Sequence, residues 1–562
     1  MALLKKKAKK PLKVVSRGGP GGVSTKRPQQ VIKRPPCGSD CPSGNKIRLW
    51  LQTIAQREKM GISEEEALRR AWNIVVDTNP FPAVMGRVCP HPCETECNRT
   101  GKDGAVSINA CERFLGDWGL EQGLKLEKKE GAESKSQSIG VIGAGPAGLS
   151  FAYQMARRGY PVTVYEKTGK PGGMLLWGIP FYRLPEQVLQ GEIQRILDLG
   201  VELQLNTTVG KDISVSELRS RHQALFIGIG ADKGRLLRVP GEEGDGVWTG
   251  TGYLYRVNAG EKIDVGKKVA VIGGGDTAID AARAARRTGA EVTILYRRTR
   301  TEMPAIDSEV EEALEEGINI EFLVAPVEIK RDGGRIQAVV VQKMELGEPD
   351  ESGRRRPVPI EGSEYEVEVD TLIAAISQEP DWAPLGDLGP REKWIEVDDN
   401  FKVQGQENVF CGGDAVRLGL ATIAVGQGRR AAEVLDAELQ GQPLPQPTEM
   451  PKVGKDRVRH DLYDPQERAQ RGKRPQQEWL SKPDEEIDQG ISHEQFLTEV
   501  SRCYSCGLCF GCERCWMFCT PSCFAKVTDG ARPGHYYTIN LDTCDGCSKC
   551  QDECPCGFID MI

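Results

Sequence analysis

A glycine-rich stretch decides the fold of most of this chain; it runs from Ser138 to Gly148 and reads SIGVIGAGPAG. β-branched apolar residues open it, and an alanine-rich helical pattern follows it. Gly143 permits a tight turn, Gly145 lets the backbone approach a pyrophosphate, and Gly148 lets the helix pack closely against the strand. The stretch therefore predicts a βαβ unit that binds a dinucleotide at the N-terminus of its helix.

The same unit carries further candidate contacts to the nucleotide. Pro146 and Ala147 fall in the first turn of the helix, where backbone N–H groups face a bound phosphate. The next strand, 162–166, reads VTVYE and ends in Glu166. A carboxylate at that position can hold the ribose hydroxyls.

A second fingerprint, VAVIGGGDTA, occupies residues 269–278 and predicts another such unit. Its candidate cofactor contacts are Gly273, Gly275, Asp276 and Thr277. The following strand, 292–298, reads VTILYRR and lacks the expected acid. Arg297 and Arg298 stand there instead, and paired guanidinium groups suit a 2′-phosphate better than a bare ribose. The pattern favours NADPH over NADH; the alternative is that both arginines are surface charges.

A third element indicates which unit holds a flavin. Residues 408–415 read NVFCGGDA, and residues 421–428 read ATIAVGQG. The strand, the Gly-Gly-Asp turn and the helix resemble the late segment of flavoprotein disulfide-reductase-like folds. That resemblance implies that Gly413, Asp414 and Thr422 approach FAD, with Asp414 near its ribityl and phosphate groups. The FAD domain would then be split around the inserted NAD(P)H domain.

Cysteine usage predicts iron–sulfur chemistry. The chain has 19 cysteines, in two blocks from Cys37 to Cys111 and from Cys503 to Cys556, with Cys411 between them. A disulfide scaffold is the alternative, but C-x2-C series are typical of metal ligation in a large cytosolic enzyme.

The second block contains the doubled spacing of two-cluster bacterial ferredoxins. In that arrangement the fourth cysteine of each run binds the other cluster, which pairs Cys554 with the first three cysteines and Cys519 with the next three. A zinc ribbon is the alternative, but the doubled series disfavours it. Cys523 and Cys556 receive no role. The predicted ligands are Cys509, Cys512, Cys515, Cys519, Cys544, Cys547, Cys550 and Cys554.

Longer strings resemble one family over residues 35–440, the small subunit of bacterial glutamate synthase and its relatives, including the reductase half of dihydropyrimidine dehydrogenase. The stretch 171–185 reads PGGMLLWGIPFYRLP, and 296–305 reads YRRTRTEMPA. The resemblance implies that 171–185 forms a loop over the flavin, with Gly173, Met174 and Arg183 as contacts.

The resemblance also implies two clusters in the N-terminal helical domain. One would take Cys41, Cys89 and Cys93 with a fourth ligand from Glu112, for which Cys111 is a rival. The other would take Cys37 and Cys97, but the C-x2-C pair that precedes them in the family is missing here, so the resemblance implies one or two clusters.

The missing pair has a counterpart at the other end of the chain. Residues 502–507 read RCYSCG, which resembles the phrase that opens the family's N-terminal domain. Our hypothesis is that Cys503 and Cys506 join Cys37 and Cys97 in one cluster. The alternative is that Cys503 and Cys506 only accompany the ferredoxin-like module.

The fold class predicted is multidomain α/β, with two Rossmann-like domains between two iron–sulfur domains. The predicted segments are a disordered basic tail (1–34), a helical iron–sulfur domain (35–124), an FAD domain (138–250 and 371–440), an NAD(P)H domain (251–370), an extended linker (441–498) and a two-cluster ferredoxin-like domain (499–562).

Composition limits the function classes. Charged residues make up 28% of the 562 residues and the formal net charge is -7, which favours neither nucleic-acid binding nor an acidic disordered scaffold. The sequence has neither an apolar run of the roughly 20 residues that span a membrane nor a secretory signal. We therefore expect a cytoplasmic protein.

Together these patterns predict an oxidoreductase that moves electrons between NAD(P)H and a ferredoxin or low-potential partner enzyme through FAD and [4Fe-4S] clusters. No catalytic side chain is required, because the cofactors carry the redox chemistry. The family resemblance implies a subunit of a hetero-oligomer, for which the 2-oxoacid:acceptor oxidoreductase type is one candidate. The alternative partner is a glutamate-synthase-like complex. A thiol or disulfide reductase, which needs a C-x2-C pair beside the flavin, is disfavoured because residues 112–410 contain no cysteine. A non-enzymatic scaffold is a further alternative, and it would hold clusters that NADPH does not reduce.

Overall fold

The computed structural model describes residues 24–351, 353–390, 394–446 and 450–562. These residues form two compact units. The first unit contains the chain up to Leu124 together with Pro443–Gly472 and Gly490–Ile562; the second contains Lys125–Gln442 and Lys473–Gln489.

The second unit contains a parallel sheet built around the first glycine fingerprint. Its central strands are rich in apolar residues and buried along their whole length, as expected for a parallel sheet covered on both faces. In spatial order the strands are Val409–Cys411, Ala224–Ile227, Ile139–Ile142, Val162–Tyr165 and Glu202–Gln204.

A second parallel sheet is built around the second fingerprint. Its strands are, in spatial order, Asn319–Phe322, Glu291–Tyr296, Lys268–Ile272, Thr371–Ala374 and Val247–Thr249. The predicted domain boundaries placed Val247–Thr249 and Thr371–Ala374 in the FAD domain, and this is corrected by the structure. Thr371–Ala374 pairs with the fingerprint strand Lys268–Ile272, so both strands belong to the NAD(P)H side.

An antiparallel sheet follows the second parallel sheet in the chain. Its strands are Val324–Asp332, Arg335–Pro349, Arg355–Pro359 and Tyr365–Glu368. The short pair Lys233–Gly234 and Gln378–Glu379 forms where the chain passes between the two parallel sheets.

Helices cover both parallel sheets. Helix Pro146–Ala156 packs against helix Ala421–Leu439 so closely that a Cβ at Gly428 would lie 2.2 Å from the Ala147 carbonyl oxygen. The other helices of this unit are Met174–Trp177, Glu186–Leu197, Val215–Arg221, Gly250–Asn258, Asp276–Arg286 and Asp307–Glu315.

The first unit is helical at its N-terminal end and cysteine-dense at its C-terminal end. Its long helices bury tryptophan and aliphatic side chains such as Trp50, Leu51 and Trp72. The helices are Pro36–Asp40, Ile47–Ala55, Arg57–Met60, Glu64–Val76, Pro82–Val88, Pro92–Thr95, Thr100–Asp103, Ile108–Glu121, His493–Arg502, Arg514–Phe518 and Lys549–Asp552.

The two ends of the chain pair with each other inside this unit. Strand Pro28–Gln30 runs antiparallel to strand Ile559–Met561, and the hairpin Phe524–Lys526 with Tyr537–Ile539 lies within the cysteine-dense end. Residues 1–23 of the predicted disordered tail lie outside the described residues. For 24–34 the prediction is corrected, because the last strand of the chain supplies the backbone partners that a tail would lack.

The predicted extended linker is also corrected. Helix His493–Arg502 begins inside it, started by a capping box between Ser492 and Gln495 and anchored by the buried Phe496. Residues 473–489 belong to the second unit, where Trp479 and Ile487 pack against Tyr182. The hydrophobic periodicity of this segment is low, and the residue that Trp479 and Ile487 contact is distant in sequence. The sequence pattern therefore does not predict these contacts.

Across the described ranges, every helix is too short or too polar to cross a membrane.

Candidate nucleotide and iron–sulfur sites

The first fingerprint forms the turn that the sequence predicts. Gly143 adopts φ +99°, and a Cβ at Gly148 would lie 2.1 Å from the Gly143 carbonyl oxygen. Helix Pro146–Ala156 then begins at the N-cap Gly145, which has no side chain to accept a hydrogen bond from the first-turn N–H groups. Those donors suit a pyrophosphate.

Two other predicted segments converge on this helix N-terminus. A Cβ at Gly173 would lie 2.8 Å from the Gly145 Cα, and a Cβ at Gly413 would lie 3.1 Å from the Ala147 Cβ. Met174 starts the short helix after the first segment, and the buried Thr422 lies in the first turn of the helix after the second. The arrangement leaves backbone, not side chains, around the turn, and so fits an extended dinucleotide such as FAD.

Glu166 lies at the carboxyl end of its strand, as predicted, but its carboxylate has local partners. Its Oε2 accepts from the Ala144 N–H at 2.8 Å, and its Oε1 accepts from the Thr168 N–H at 2.9 Å. The side chain therefore holds the fingerprint turn in place at the edge where a ribose would lie.

Asp414 is partly buried, and burial raises its pKa to about 6 despite the hydrogen bond that its Oδ1 accepts from the Gly419 N–H at 3.0 Å. A carboxyl with this environment is suited to hydrogen bonding with neutral hydroxyl groups, such as those of a ribityl chain.

Arg183 does not hold the role predicted for it. Its Nη1 donates to both carboxylate oxygens of Asp280, at 2.8 and 2.7 Å, and its Nε lies 3.1 Å from Glu309. The side chain is 9% exposed and that of Asp280 is 4% exposed. Because two carboxylates already neutralise this guanidinium, we correct the assignment from a flavin contact to a buried ion pair.

The second fingerprint repeats the geometry of the first. Helix Asp276–Arg286 begins at the N-cap Gly275, and a Cβ built there meets nothing within 4 Å. Asp276 accepts a hydrogen bond from the Ile306 N–H at 3.0 Å, and Thr277 packs beside Gly250. Gly273, at φ +144°, makes the turn. The open space at Gly275 is where a pyrophosphate would approach.

The two candidate arginines for the 2′-phosphate have different environments. Arg298 is buried, and it donates from Nη2 to Asp350 at 2.6 Å and from Nε to the Arg355 carbonyl at 2.7 Å. We therefore correct the role of Arg298 from a phosphate contact to a structural one, because it holds together the antiparallel strands Arg335–Pro349 and Arg355–Pro359. The Arg297 side chain is exposed at the end of its strand, and its pKa is lowered by partial desolvation and then by the charges of Arg298 and Arg354. Arg297 is thus the arginine placed to bind an anion.

The contrast between the fingerprint glycines gives a prediction. Gly275→Ala should leave the melting temperature near that of the wild type, because its Cβ enters open space, yet raise the KM for NADPH about tenfold by obstructing the phosphate. Gly148→Ala should destabilise the fold by about 1–3 kcal/mol through overpacking. Thermal melts and steady-state kinetics measure the two effects, and a wild-type KM in Gly275→Ala would contradict the assignment.

The N-terminal cysteines form a first group. The pKa of Cys89 is raised to about 12, mainly by burial and then by the charges of Glu112 and Cys41. The pKa of Cys93 is raised by burial and then by Glu94, Cys41 and Glu112. Burial raises the pKa of Glu112 to about 7, while Asn79 and Asn45 donate to its Oε1 at 2.9 and 3.1 Å.

Cys111, the rival of Glu112, lies elsewhere. Burial raises its pKa, and the charged groups around its thiol are Glu499, Glu94, Arg471 and Arg502 rather than other cysteines. The structure therefore brings Glu112, not Cys111, to the first group.

The ferredoxin-like cysteines fall into two further groups, which correspond to the predicted exchange of the fourth ligands. After burial, the thiols that raise the pKa of Cys515 are those of Cys512, Cys509 and Cys554. Those that raise the pKa of Cys550 are Cys519, Cys547 and Cys544. Cys556 lies 3.8 Å from Cys554, and Thr543 donates to the Cys523 sulfur at 3.5 Å.

The remaining predicted ligands share one cavity, which Cys37, Cys97, Cys503 and Cys506 line together with Arg48. Sequence spacing gave no sign of Arg48, or of Lys59, which donates to the Phe510 and Gly511 carbonyls at 2.9 Å beside the ferredoxin-like cysteines. Both cations come from short helices with no motif of their own.

The cysteine groups fit clusters better than a single ion. Within the described ranges, no three His, Cys, Asp or Glu side chains converge tightly enough to bind one ion. The zinc ribbon is disfavoured by the doubled cysteine spacing, which is that of two-cluster ferredoxins. A cubane is ligated by four thiolates on separate irons and accepts a wider spacing.

Comparisons with known proteins agree with this geometry. The pattern of the pyridine nucleotide-disulphide oxidoreductase family matches residues 137–428. A second family pattern, described as dihydropyrimidine dehydrogenase domain II with a 4Fe-4S cluster, matches residues 25–124. The predicted fold class and cofactor types, namely FAD, NADP(H) and [4Fe-4S] clusters, are confirmed, and the number of clusters stays a prediction.

Three relatives show how far the likeness extends. The chain is 37% identical over 518 residues to the NADPH-Fe(3+) oxidoreductase subunit beta of Geobacter sulfurreducens, covering 84% of this chain and 75% of that protein. It is 37% identical over 508 residues to the NADP(+)-dependent formate dehydrogenase subunit beta of Moorella thermoacetica, covering 84% and 70%. It is 35% identical over 425 residues to the glutamate synthase (NADPH) small chain of Azospirillum brasilense, covering 72% and 86%.

The predicted resemblance is confirmed by these matches. The chain belongs to the pyridine nucleotide-disulphide oxidoreductase family, in the branch that resembles the glutamate synthase small subunit and carries an N-terminal 4Fe-4S domain.

Proposed function

We propose that this chain is the NADPH-reactive subunit of a larger redox enzyme and exchanges electrons with a low-potential partner, a ferredoxin-type carrier or another subunit. Two dinucleotide turns in one unit, Gly143 to Gly148 and Gly273 to Ala278, support the pyridine-nucleotide and flavin halves of this activity. The cysteine groups of the other unit support the single-electron half. The combination of both in one chain carries the proposal.

Bound FAD would supply the conversion between the two-electron hydride chemistry of NADPH and the single-electron chemistry of iron–sulfur clusters. The residues of this chain orient and hold these groups. The uncapped helix N-termini at Gly145 and Gly275 bind the two pyrophosphates, Glu166 fixes the first turn, and Arg297 binds the 2′-phosphate. The grouped cysteines and Glu112 would bind the clusters.

The likeness to two relatives favours this partner class. The NADPH-Fe(3+) oxidoreductase subunit beta and the NADP(+)-dependent formate dehydrogenase subunit beta each match 84% of the chain. The glutamate synthase small chain matches 72%. A partner enzyme that delivers or takes up low-potential electrons therefore has more support than an amidotransferase partner. The 2-oxoacid:acceptor oxidoreductase type remains one candidate for it.

An anaerobic titration of the holoprotein tests the activity. NADPH should bleach the flavin absorbance and then produce the EPR signals of reduced clusters, whereas NADH should need a higher concentration for the same change. Dithionite reduces any cluster of low potential and serves as the reference for complete reduction. Flavin that stays oxidised under NADPH would refute the proposed NADPH activity.

The result also separates the competing functions. Reduced flavin with clusters that only dithionite reduces would assign the opposite physiological direction, from a low-potential donor to NADP. Clusters that neither reductant reaches would support a purely structural role for them.

A further inference from the structure

Four cysteines from opposite ends of the chain line one cavity of the first unit. Cys37 and Cys97 come from the N-terminal end, and Cys503 and Cys506 come from the C-terminal end. The cavity measures ≈ 380 Å³ including its open mouth. Burial raises the pKa of Cys37, and the next three causes are Cys503, Cys97 and Cys506, which places all four thiols around one centre.

A buried network of charges holds Cys97 and Cys503 together. Arg99, two residues after Cys97, donates from Nη1 to the Arg502 carbonyl at 2.6 Å and pairs with Asp103 at 2.6 Å. Arg502, next to Cys503, lies 3.1 Å from the same Asp103. Both arginine side chains are almost fully buried, so this network fixes the two backbone segments on either side of the cavity.

Arg502 also has a partner within its own helix. Its Nη1 pairs with the fully buried Glu499 at 2.5 Å, and Glu499 accepts from the Ser107 N–H at 2.7 Å. Every member of this network is thereby paired, as buried charges require.

A second set of contacts fixes Cys506. Asn98 donates from Nδ2 to the Cys506 sulfur at 3.4 Å, and Gly507 accepts a hydrogen bond from the Lys33 N–H at 3.0 Å. Gly507 adopts φ +70°, and a Cβ there would lie 2.7 Å from the Lys33 Cβ. A glycine is thus required after Cys506 to bring the two ends of the chain together.

Arg48 supplies the charge that a cluster needs. Its Nη1 donates to the Lys33 carbonyl at 2.6 Å and also to the Cys506 carbonyl. The buried Arg48 side chain also lines the cavity that contains Cys37, Cys503 and Cys506. Four thiolates in an apolar cavity would be unstable alone, and a buried arginine offsets part of their charge.

We propose that Cys37, Cys97, Cys503 and Cys506 ligate a [4Fe-4S] cluster that is assembled from both ends of the chain and forms the electron path between the N-terminal cluster and the ferredoxin-like clusters. Ligation replaces the four S–H bonds by iron–sulfur bonds and releases four protons, with iron and sulfide supplied by cluster assembly. The electron-path part rests on the proposed function; the ligand set does not.

The chain itself links this cluster to its neighbours. Cys37 and Cys41 stand one helical turn apart across helix Pro36–Asp40, so adjacent clusters share that helix. Cys506 and Cys509 are three residues apart, which limits their Cα separation to about 10 Å. The order along the path is therefore the cluster of Cys41, the cluster proposed on Cys37, Cys97, Cys503 and Cys506, the cluster of Cys509 and then the cluster of Cys544.

An aromatic side chain packs in the same apolar cluster as the cysteines of both neighbouring groups. Tyr463 is fully buried, and Cys506, Cys509 and Cys512 pack against the cluster that contains it. Its ring lies 4.1 Å from that of Tyr504.

The experiment compares the holoprotein with Cys503→Ser/Cys506→Ser. The wild type should contain about 16 iron atoms per chain, and the double variant about 12, at four per cubane. Cys111→Ser is the matched control, because Cys111 is a buried cysteine of the same unit that belongs to none of the groups. In the double variant NADPH should still bleach the flavin, dithionite should still reduce the ferredoxin-like clusters, and NADPH-driven reduction of those clusters should be lost.

Two further measurements decide cases in which the double variant is poorly folded. Cys37→Ser, at the other end of the chain, should cause the same loss of iron, and iron with acid-labile sulfide can be counted on the unmodified protein. About 12 iron atoms in the wild type, or an unchanged count in the double variant, would overturn the ligand set. Loss of iron with NADPH-driven reduction at the wild-type rate would overturn the electron path alone. Failure of the proposed function appears separately, as wild-type flavin that NADPH does not reduce.

Discussion

Replacing Arg183 by methionine should lower the free energy of unfolding of the nucleotide-binding unit by about 3–5 kcal/mol, because removing one partner of a buried ion pair leaves the other charge uncompensated. Asp280, 4% exposed, would lose both hydrogen bonds from Nη1, and Glu309 would lose the contact from Nε. Few single substitutions on a protein surface approach this cost.

Chemical denaturation of the isolated holoprotein measures the effect, with loss of flavin fluorescence quenching and loss of circular dichroism followed separately. Arg219→Met is the matched control, since Arg219 is an exposed arginine of the same unit, and its loss should change stability by less than about 0.5 kcal/mol. Arg183→Met/Asp280→Leu should recover part of the loss, because no buried charge is then left unpaired. Equal stability of Arg183→Met and Arg219→Met would refute the ion-pair assignment.

Arg183 also shows where sequence reasoning fails. The string that contains it resembles a loop over the flavin, yet its guanidinium pairs with a carboxylate 97 residues later in the chain. Nothing in local spacing reveals a partner at that distance. The glycine fingerprints were predictable for the opposite reason: tight turns and close backbone approach require glycine at fixed local positions, as Gly143 and Gly148 show.

The domain boundaries were limited by the same physics. Short parallel strands such as Val247–Thr249 and Thr371–Ala374 have apolar patterns that fit either sheet. Their sheet is decided by pairing with Lys268–Ile272, a contact distant in sequence. Cysteine spacing could link Cys37 with Cys503 across a long separation only because two parts of one family motif are recognisable separately, one around Cys37 and one around Cys503.

Replacing Arg297 by alanine should lower kcat/KM for NADPH about 10- to 100-fold and leave kcat/KM for NADH nearly unchanged, since a charge-assisted hydrogen bond contributes about 1.5–3 kcal/mol and every 1.4 kcal/mol is tenfold. Arg297 is exposed at the end of strand Glu291–Tyr296, beside Arg298 and Arg354. A 2′-phosphate would relieve the repulsion among these cations, whereas NADH has no phosphate to do so.

Arg298→Ala should behave differently, because its guanidinium is tied to Asp350 and the Arg355 carbonyl. Its loss should destabilise the hairpin and raise the KM for both nucleotides together, with little change in the NADPH-to-NADH ratio. Arg335→Ala, at an exposed position of the same antiparallel sheet, is the control and should leave both nucleotides unaffected. Steady-state kinetics with an artificial electron acceptor give all three ratios. The assignment would be contradicted if Arg298→Ala abolished the preference for NADPH over NADH while Arg297→Ala kept it. Arg298 would then have to leave its carboxylate when NADPH binds, and a rearranged hairpin, not the exposed Arg297, would bind the phosphate.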